Sequence, residues 1–180
     1  MPGSEIRIVA DDGRIITDGS VGLIHIRQPM PFREYLNAPE KTATTFTPDE
    51  WMITGDFGCL DTAGRLKVIG RGSELIVSGG LNVYPKEVED ALNLLPGVAE
   101  SAVIGLPHAE YGEAVVAIIE MSEPDRLLDT GEMRLLLRQS LAGYKVPKHF
   151  EVVDKFPRNA LGKVKKNELR ARLLSYFETQ

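Results

Sequence analysis

Leu75-Ile76-Val77-Ser78-Gly79-Gly80-Leu81-Asn82-Val83-Tyr84-Pro85-Lys86-Glu87-Val88-Glu89-Asp90-Ala91-Leu92-Asn93-Leu94-Leu95-Pro96-Gly97 is the stretch where the period of the chain changes. Leu75-Ile76-Val77 is a short apolar strand, and Ser78-Gly79-Gly80 is a turn with almost no side chain. Pro85 suits the first turn of a helix, where a missing N–H costs nothing. Val88, Ala91, Leu92 and Leu95 follow at helical spacing until Pro96-Gly97 stops the helix. Beyond it, Val98 to Leu106 and Ala114 to Met121 read as β runs. Asp129 or Thr130 caps a helix whose apolar face is Met133, Leu136, Leu137 and Leu141. Phe150 to Phe156 alternates as a strand, and a last helix starts near Asn167 with Leu169, Leu173, Leu174 and Phe177 on one side. From residue 75 the order is strand, helix, strand, strand, helix, strand, helix. That order predicts an α+β layer, a small central sheet with flanking helices.

Upstream the chain is β-rich. Ile6, Ile8 and Val9, then Ile15 and Ile16, then Leu23, Ile24 and Ile26 form short runs separated by Asp11-Asp12-Gly13 and Asp18-Gly19 hairpin turns. Such a meander is too small to close a core alone. Residues 29–50 are mixed, with a short helix expected from Glu40. Trp51-Met52-Ile53 runs into Thr54-Gly55-Asp56; Cys59-Leu60, a turn at Asp61 to Gly64 and a strand at Leu66 to Ile69 follow. Gly70-Arg71-Gly72 reads as a break or pivot, which places a domain boundary at residues 71–74.

Composition excludes several classes. The chain of 180 residues has a net charge of −5 and ordinary apolar content, so nothing global favours nucleic acid. Its one cysteine, Cys59, permits no internal disulfide and fits a reducing, cytoplasmic compartment. No apolar run approaches the roughly 18 residues a membrane span needs, and Met1-Pro2-Gly3 lacks the features of a signal peptide. Charge is uneven. Between Tyr144 and Arg172 nine Lys or Arg face three Asp or Glu, a basic end suited to an anion or equally to a solvated helix face.

Three segments carry candidate chemistry. Pro157-Arg158-Asn159-Ala160-Leu161-Gly162-Lys163-Val164-Lys165-Lys166 joins the last strand to the last helix. Its glycine lets the backbone approach a ligand while Lys163 delivers a compact charge to phosphate or carboxylate oxygens; taken alone, the segment reads first as a basic surface turn before a helix. Asp56, after Gly55, could accept both hydroxyls of a ribose, though the tripeptide alone reads first as an acidic turn. Arg71 between two glycines offers a planar donor fork, or is a surface arginine. Lys165 and Lys166 read as solvated neighbours, His108 as structural, and Cys59 as a packed thiol.

The order and flanks of these segments resemble the AMP-forming acyl-CoA synthetase superfamily, which includes adenylation domains and luciferases. The matching segments are Tyr35 to Thr42, Trp51 to Asp56, Gly64 to Arg71, Ser78 to Glu89 and Pro157 to Lys163. The wording Gly79-Gly80-Leu81-Asn82-Val83-Tyr84-Pro85-Lys86-Glu87-Val88-Glu89, with Pro157-Arg158-Asn159 and Gly162-Lys163-Val164, most resembles malonyl-CoA synthetases. The resemblance implies that residues 1–71 end a β-rich, barrel-like subdomain of a large N-terminal domain, that 72–74 are a hinge, and that 75–180 are a mobile C-terminal lid. It implies that the phosphate loop, adenine segment, acyl pocket and Mg2+ ligands lie in an N-terminal part this chain lacks, so that the fragment alone is inactive.

By the same resemblance, Asp56 holds the ribose of ATP and Arg71 its ribose and phosphate side. Lys163 reaches the α-phosphate and the substrate carboxylate. Ser78, Gly79 and Gly80 border the channel for CoA, where a Cβ would narrow the passage. Ser73 stands at a hinge position that usually holds Asp or Lys, which puts the balance between the two lid orientations in doubt. The implied reaction joins a small-molecule carboxylic acid to CoA through an acyl-AMP, with ATP and CoA as co-substrates. No metal site, nucleic acid or membrane span is expected in this chain, and a homodimer is a further expectation. The tail of a carrier-loading adenylation enzyme and a non-catalytic lid module are the alternatives.

Overall fold

The computed structural model describes residues 3–123, 129–174, 176 and 177. They form two compact units, one ending at Ser73 and one beginning at Glu74.

The first unit contains strands β1 (Glu5–Val9), β2 (Ile15–Ile16), β3 (Gly22–Arg27), β4 (Met52–Leu60) and β5 (Leu66–Arg71), with a short helix α1 (Pro39–Ala43). They make one antiparallel sheet in the order β2-β1-β3-β4-β5, the β-rich end of a subdomain that the resemblance implies. Ile8, Ile16 and Ile24 form its core. The separate runs expected at Trp51 to Ile53 and at Cys59-Leu60 fall within or next to one continuous strand, β4. Across β3 and β4, His25 pairs with Ile53 and Leu23 with Phe57, so Thr54, Gly55 and Asp56 bulge opposite Ile24 alone. Gly55 takes φ +76°, which a bulge of this kind asks of a glycine.

The second unit contains β6 (Ile76–Ser78), β7 (Leu81–Val83), α2 (Pro85–Leu92), β8 (Val98–His108), β9 (Gly112–Met121), α3 (Thr130–Leu137), β10 (His149–Val153) and α4 (Lys166–Leu173). β7 is the strand the sequence reading missed: three residues are too few to show a period, and only pairing with β6 makes them a strand. β8 runs antiparallel along the length of β9, while β10 (parallel) and the end of β6 pair with β9 as well.

Alternation along β8 and β9 sorts their side chains to two faces. Val103, Val115, Ala117 and Ile119 face α2 and α3 through Val88, Leu92, Met133 and Leu137. Ala102, Ile104, Leu106, Val116 and Ile118 face Phe156 and Leu169 of the α4 side. Helices therefore cover both faces of the sheet. Asp129 caps α3 by accepting from the N–H groups of Gly131 and Glu132 at 2.9 and 3.0 Å. Leu174, assigned by spacing to the apolar side of α4, lies past the end of the helix and is 47% exposed.

Candidate functional site

In the first unit the bulge decides where Asp56 points. The Thr54 hydroxyl donates to the Ile24 carbonyl at 2.8 Å and accepts from the Asp56 N–H at 3.0 Å, so the three-residue bulge is braced from within. Past it, Asp56 lies directly across from Arg71 on β5. Arg71 Nε donates to Asp56 Oδ1 at 2.8 Å. The fold thus brings together the acid and the guanidinium that the sequence presents fifteen residues apart. Both stay accessible, with the Asp56 side chain 32% and the Arg71 side chain 63% exposed. Ser73 is exposed within a 3-10 turn, Gly72–Glu74, that carries the chain from one unit into the next.

In the second unit Gly79 and Gly80 connect β6 to β7 with φ of +59° and +76°. Two consecutive positive φ values are what a tight two-residue hairpin needs and what L side chains resist. No other atom lies within 4 Å of where a Cβ would sit on either, so the backbone itself calls for glycine whatever passes beside it. Gly79 N–H donates to the Tyr111 carbonyl at 2.8 Å, and the Lys148 ammonium sits 4.7 Å over the Tyr111 ring. An aromatic ring and a cation therefore stand next to the exposed turn, which no spacing in the sequence announced. Ser78, grouped with the glycines in the sequence reading, is buried, so only the glycines are presented.

Lys163 is exposed on a loop on the other side of the chain order from that turn. The loop is closely specified. Asn159 Oδ1 accepts from the N–H groups of Leu161 and Lys163 at 3.0 and 2.9 Å. The Asn159 N–H donates to the Lys163 carbonyl at 2.9 Å, and Arg158 bridges antiparallel to Val164. Gly162 takes φ +79°. An asparagine that satisfies backbone donors two and four residues ahead is a turn device legible in principle from the residue type.

The basic end is not a diffuse positive surface. Lys145 pairs with Glu87 at 2.7 Å, Lys165 with Glu168 at 2.8 Å, Arg170 with Glu113 at 2.8 Å, and Arg158 with Glu100. Lys166 is not solvated, contrary to the sequence reading. Its ammonium bridges Glu74 at 2.6 Å and Glu89 at 2.8 Å, and only 22% of its side chain is exposed. Burial works to lower its pKa, but the facing Glu89 and Glu74 carboxylates reverse that and leave it raised. Among the described residues, no carboxylate pairs with Lys163 in this way, so its amine is presented rather than neutralised.

His108 stacks on Tyr111 at 4.7 Å and meets Phe177 edge-on at 5.0 Å, a packing role. Among the described residues no group of three or more His, Cys, Asp or Glu is arranged to hold a metal ion. No helix of the described residues is long and apolar enough to cross a membrane.

Comparison with known proteins gives consistent relationships. Residues 87–163 match the family described as the AMP-binding enzyme C-terminal domain. The chain is 42% identical over 169 residues to an indoleacetate–CoA ligase of Aromatoleum aromaticum, covering 94% of this chain and 33% of that protein. It is 41% identical over 169 residues to a 2-succinylbenzoate–CoA ligase of Listeria monocytogenes, covering 94% and 33%. The crystal structure of ATP-bound MatB from Rhodopseudomonas palustris superposes with a TM-score of 0.88 at 39% identity, over 98% of this chain and 35% of that one. The chain thus spans about a third of the length of the relatives it matches. In sequence, residues 87–163 carry the match to the AMP-binding enzyme C-terminal domain, and in fold the chain is similar to the corresponding third of ATP-bound MatB.

Proposed function

We propose that this chain supplies the mobile catalytic lid, and the strand pair before it, of an ATP-dependent acid–CoA ligase. The observation that carries the reading is Lys163: an exposed ammonium on a hydrogen-bonded loop, with Arg158, Lys165 and Lys166 beside it in sequence tied to carboxylates. In the first half-reaction a carboxylate oxygen attacks the α-phosphorus of ATP, an O–P bond forms, and pyrophosphate leaves with the bridging oxygen. Lys163 offsets the negative charge that builds on the phosphoryl oxygens. A preorganised donor of this kind is worth on the order of 10²–10³ in rate. Asp56 accepts from the ribose hydroxyls, and Arg71, held against Asp56 at 2.8 Å, fixes that carboxylate while facing the nucleotide.

In the second half-reaction the lid turns about Ser73, Lys163 withdraws, and Gly79-Gly80 borders the path of the thiol. The thiol sulfur, its proton lost to solvent, attacks the acyl carbon; a C–S bond forms and AMP leaves. The Lys148 and Tyr111 pair beside the glycine turn offers a charge and a flat ring to a phosphorylated thiol such as CoA. Indoleacetate, sulfoacetate and 2-succinylbenzoate ligases all align with these residues at 38–42% identity. The acyl pocket is therefore assigned to the part of the ligase beyond this chain.

The test uses a complete ligase in which this chain replaces the matching third of a relative. Lys163→Ala should stop acyl-AMP formation yet spare thioester formation from supplied acyl-AMP. Gly80→Trp should do the reverse. Equal loss of both half-reactions in Lys163→Ala would overturn the assignment, and thioester transfer only to a phosphopantetheinylated carrier would replace CoA as the acceptor.

A further inference from the structure

Glu100 on β8 and Glu120 on β9 stand directly opposite each other. They continue the face that carries Ala102, Ile104 and Leu106 on one strand and Val116 and Ile118 on the other. Like charges facing across a sheet repel. Both carboxylates are answered by one segment. Glu120 accepts from the Phe156 N–H at 3.2 Å, and Glu100 pairs with the Arg158 guanidinium. The sheet thus carries an anionic seat at the end of an apolar face, and the loop that bears Lys163 sits on it.

What Arg158 does from that seat is specific. Its other terminal nitrogen donates to the Gly162 carbonyl at 2.8 Å. That carbonyl and the Lys163 N–H belong to one peptide plane. The N–H end of the same plane donates to Asn159 Oδ1 at 2.9 Å. A rigid plane held at both ends fixes the Lys163 N–Cα bond, and the Lys163 carbonyl, held by the Asn159 N–H at 2.9 Å, fixes the plane that follows; together they set the direction of the Lys163 Cα–Cβ bond. Gly162, at φ +79°, is where such a plane would otherwise turn at small cost. We propose that Arg158, seated on Glu100, is a positioning residue that aims Lys163 for acyl-adenylate formation. The proposal rests on the reading of Lys163 given above.

The pair is well placed for geometry and poorly placed for stability. Arg158 and Glu100 side chains are 39% and 36% exposed, and exposed ion pairs add little to folding. Arg158→Met should therefore fold, while a cation misplaced by about 1 Å costs on the order of 10² in rate. In the complete ligase, Arg158→Met should lower turnover in acyl-AMP formation by about that factor, with little change in KM for ATP and none in thioester formation from supplied acyl-AMP. Glu100→Gln, which removes the seat but keeps the guanidinium, should shift the same half-reaction in the same direction by less. Within the 180-residue chain, Arg158→Met should speed backbone amide exchange at Lys163. Lys163→Ala is the control. If it fails to stop acyl-AMP formation, the reading beneath the proposal falls. If it does stop it while Arg158→Met and Glu100→Gln run at the parent rate, the positioning role alone is overturned. Equal loss of both half-reactions in both of these variants would also overturn it, in favour of a general folding role.

Discussion

Replacing Lys166 by Met removes the ammonium that ties α4 to Glu74 and to α2 but keeps a straight aliphatic stem. The two pairs it breaks are unequal. Glu74 is 43% exposed, so that pair is a surface one worth about 0.2–1 kcal/mol. Glu89 is 13% exposed, and stripping the partner from a buried carboxylate costs up to about 3–5 kcal/mol. Here the loss is moderated, because Glu89 Oε1 still accepts from the Val103 N–H at 2.8 Å. A net destabilisation of about 2 kcal/mol follows, which for a domain of this size lowers Tm by roughly 8–15 °C. The assay is urea and thermal unfolding of the chain followed by far-UV circular dichroism, at a series of pH values. The sign with pH is fixed by the raised Lys166 pKa. A lysine whose folded pKa exceeds its unfolded value of about 10.5 contributes stability that is fully present below that value. The contribution is lost as the pH rises through the folded pKa. The difference between parent and Lys166→Met should therefore be constant from pH 7 to 10 and shrink above it. A variant within about 0.5 kcal/mol of the parent at pH 7, or a difference that grows in alkali, would refute the reasoning.

Gly80→Ala should cost about 1–2 kcal/mol despite the open space around it, since the penalty is the left-handed φ and not a clash; Gly80→Asn should cost less, and urea titration separates the two. Leu92→Ala, at a fully buried site under α2, should cost about 2–5 kcal/mol by the same measurement. His25 is buried on β3, and burial first, then the Arg7 guanidinium, pushes its pKa down. It stays neutral in the fold while the unfolded chain takes up a proton. Stability should therefore fall as the pH drops below about 6.5, with a slope of at most about 1.4 kcal/mol per pH unit that His25→Gln removes.

The α+β layer was legible because local rules and the burial pattern agree. Pro85 opens α2, Asp129 caps α3, and alternation along β8 and β9 sorts two faces. Where the reading erred, local signals were weak or the deciding partner was distant. β7 has three residues and no period of its own. The bulge at Thr54 to Asp56 hides the continuity of β4, because it interrupts alternation without ending the strand. Lys166 read as solvated because nothing within a few residues in sequence betrays Glu74 and Glu89 as its partners.

By itself, then, the sequence determined which residues could do chemistry: a lysine after a glycine, an acid after a glycine, a glycine pair at a turn. These are properties of residue type and near neighbours. Only the tertiary structure decided which of them are available. Asp56 and Arg71 meet because the β4–β5 pairing, which shifts register between Phe57 and Gly58, sets them opposite each other. Arg158, Lys166 and Arg170 of the same basic tract are taken up by carboxylates from β8, α2 and β9, while Lys163 is presented. Charge is written in the chain, but its neutralisation depends on distances that the fold alone sets.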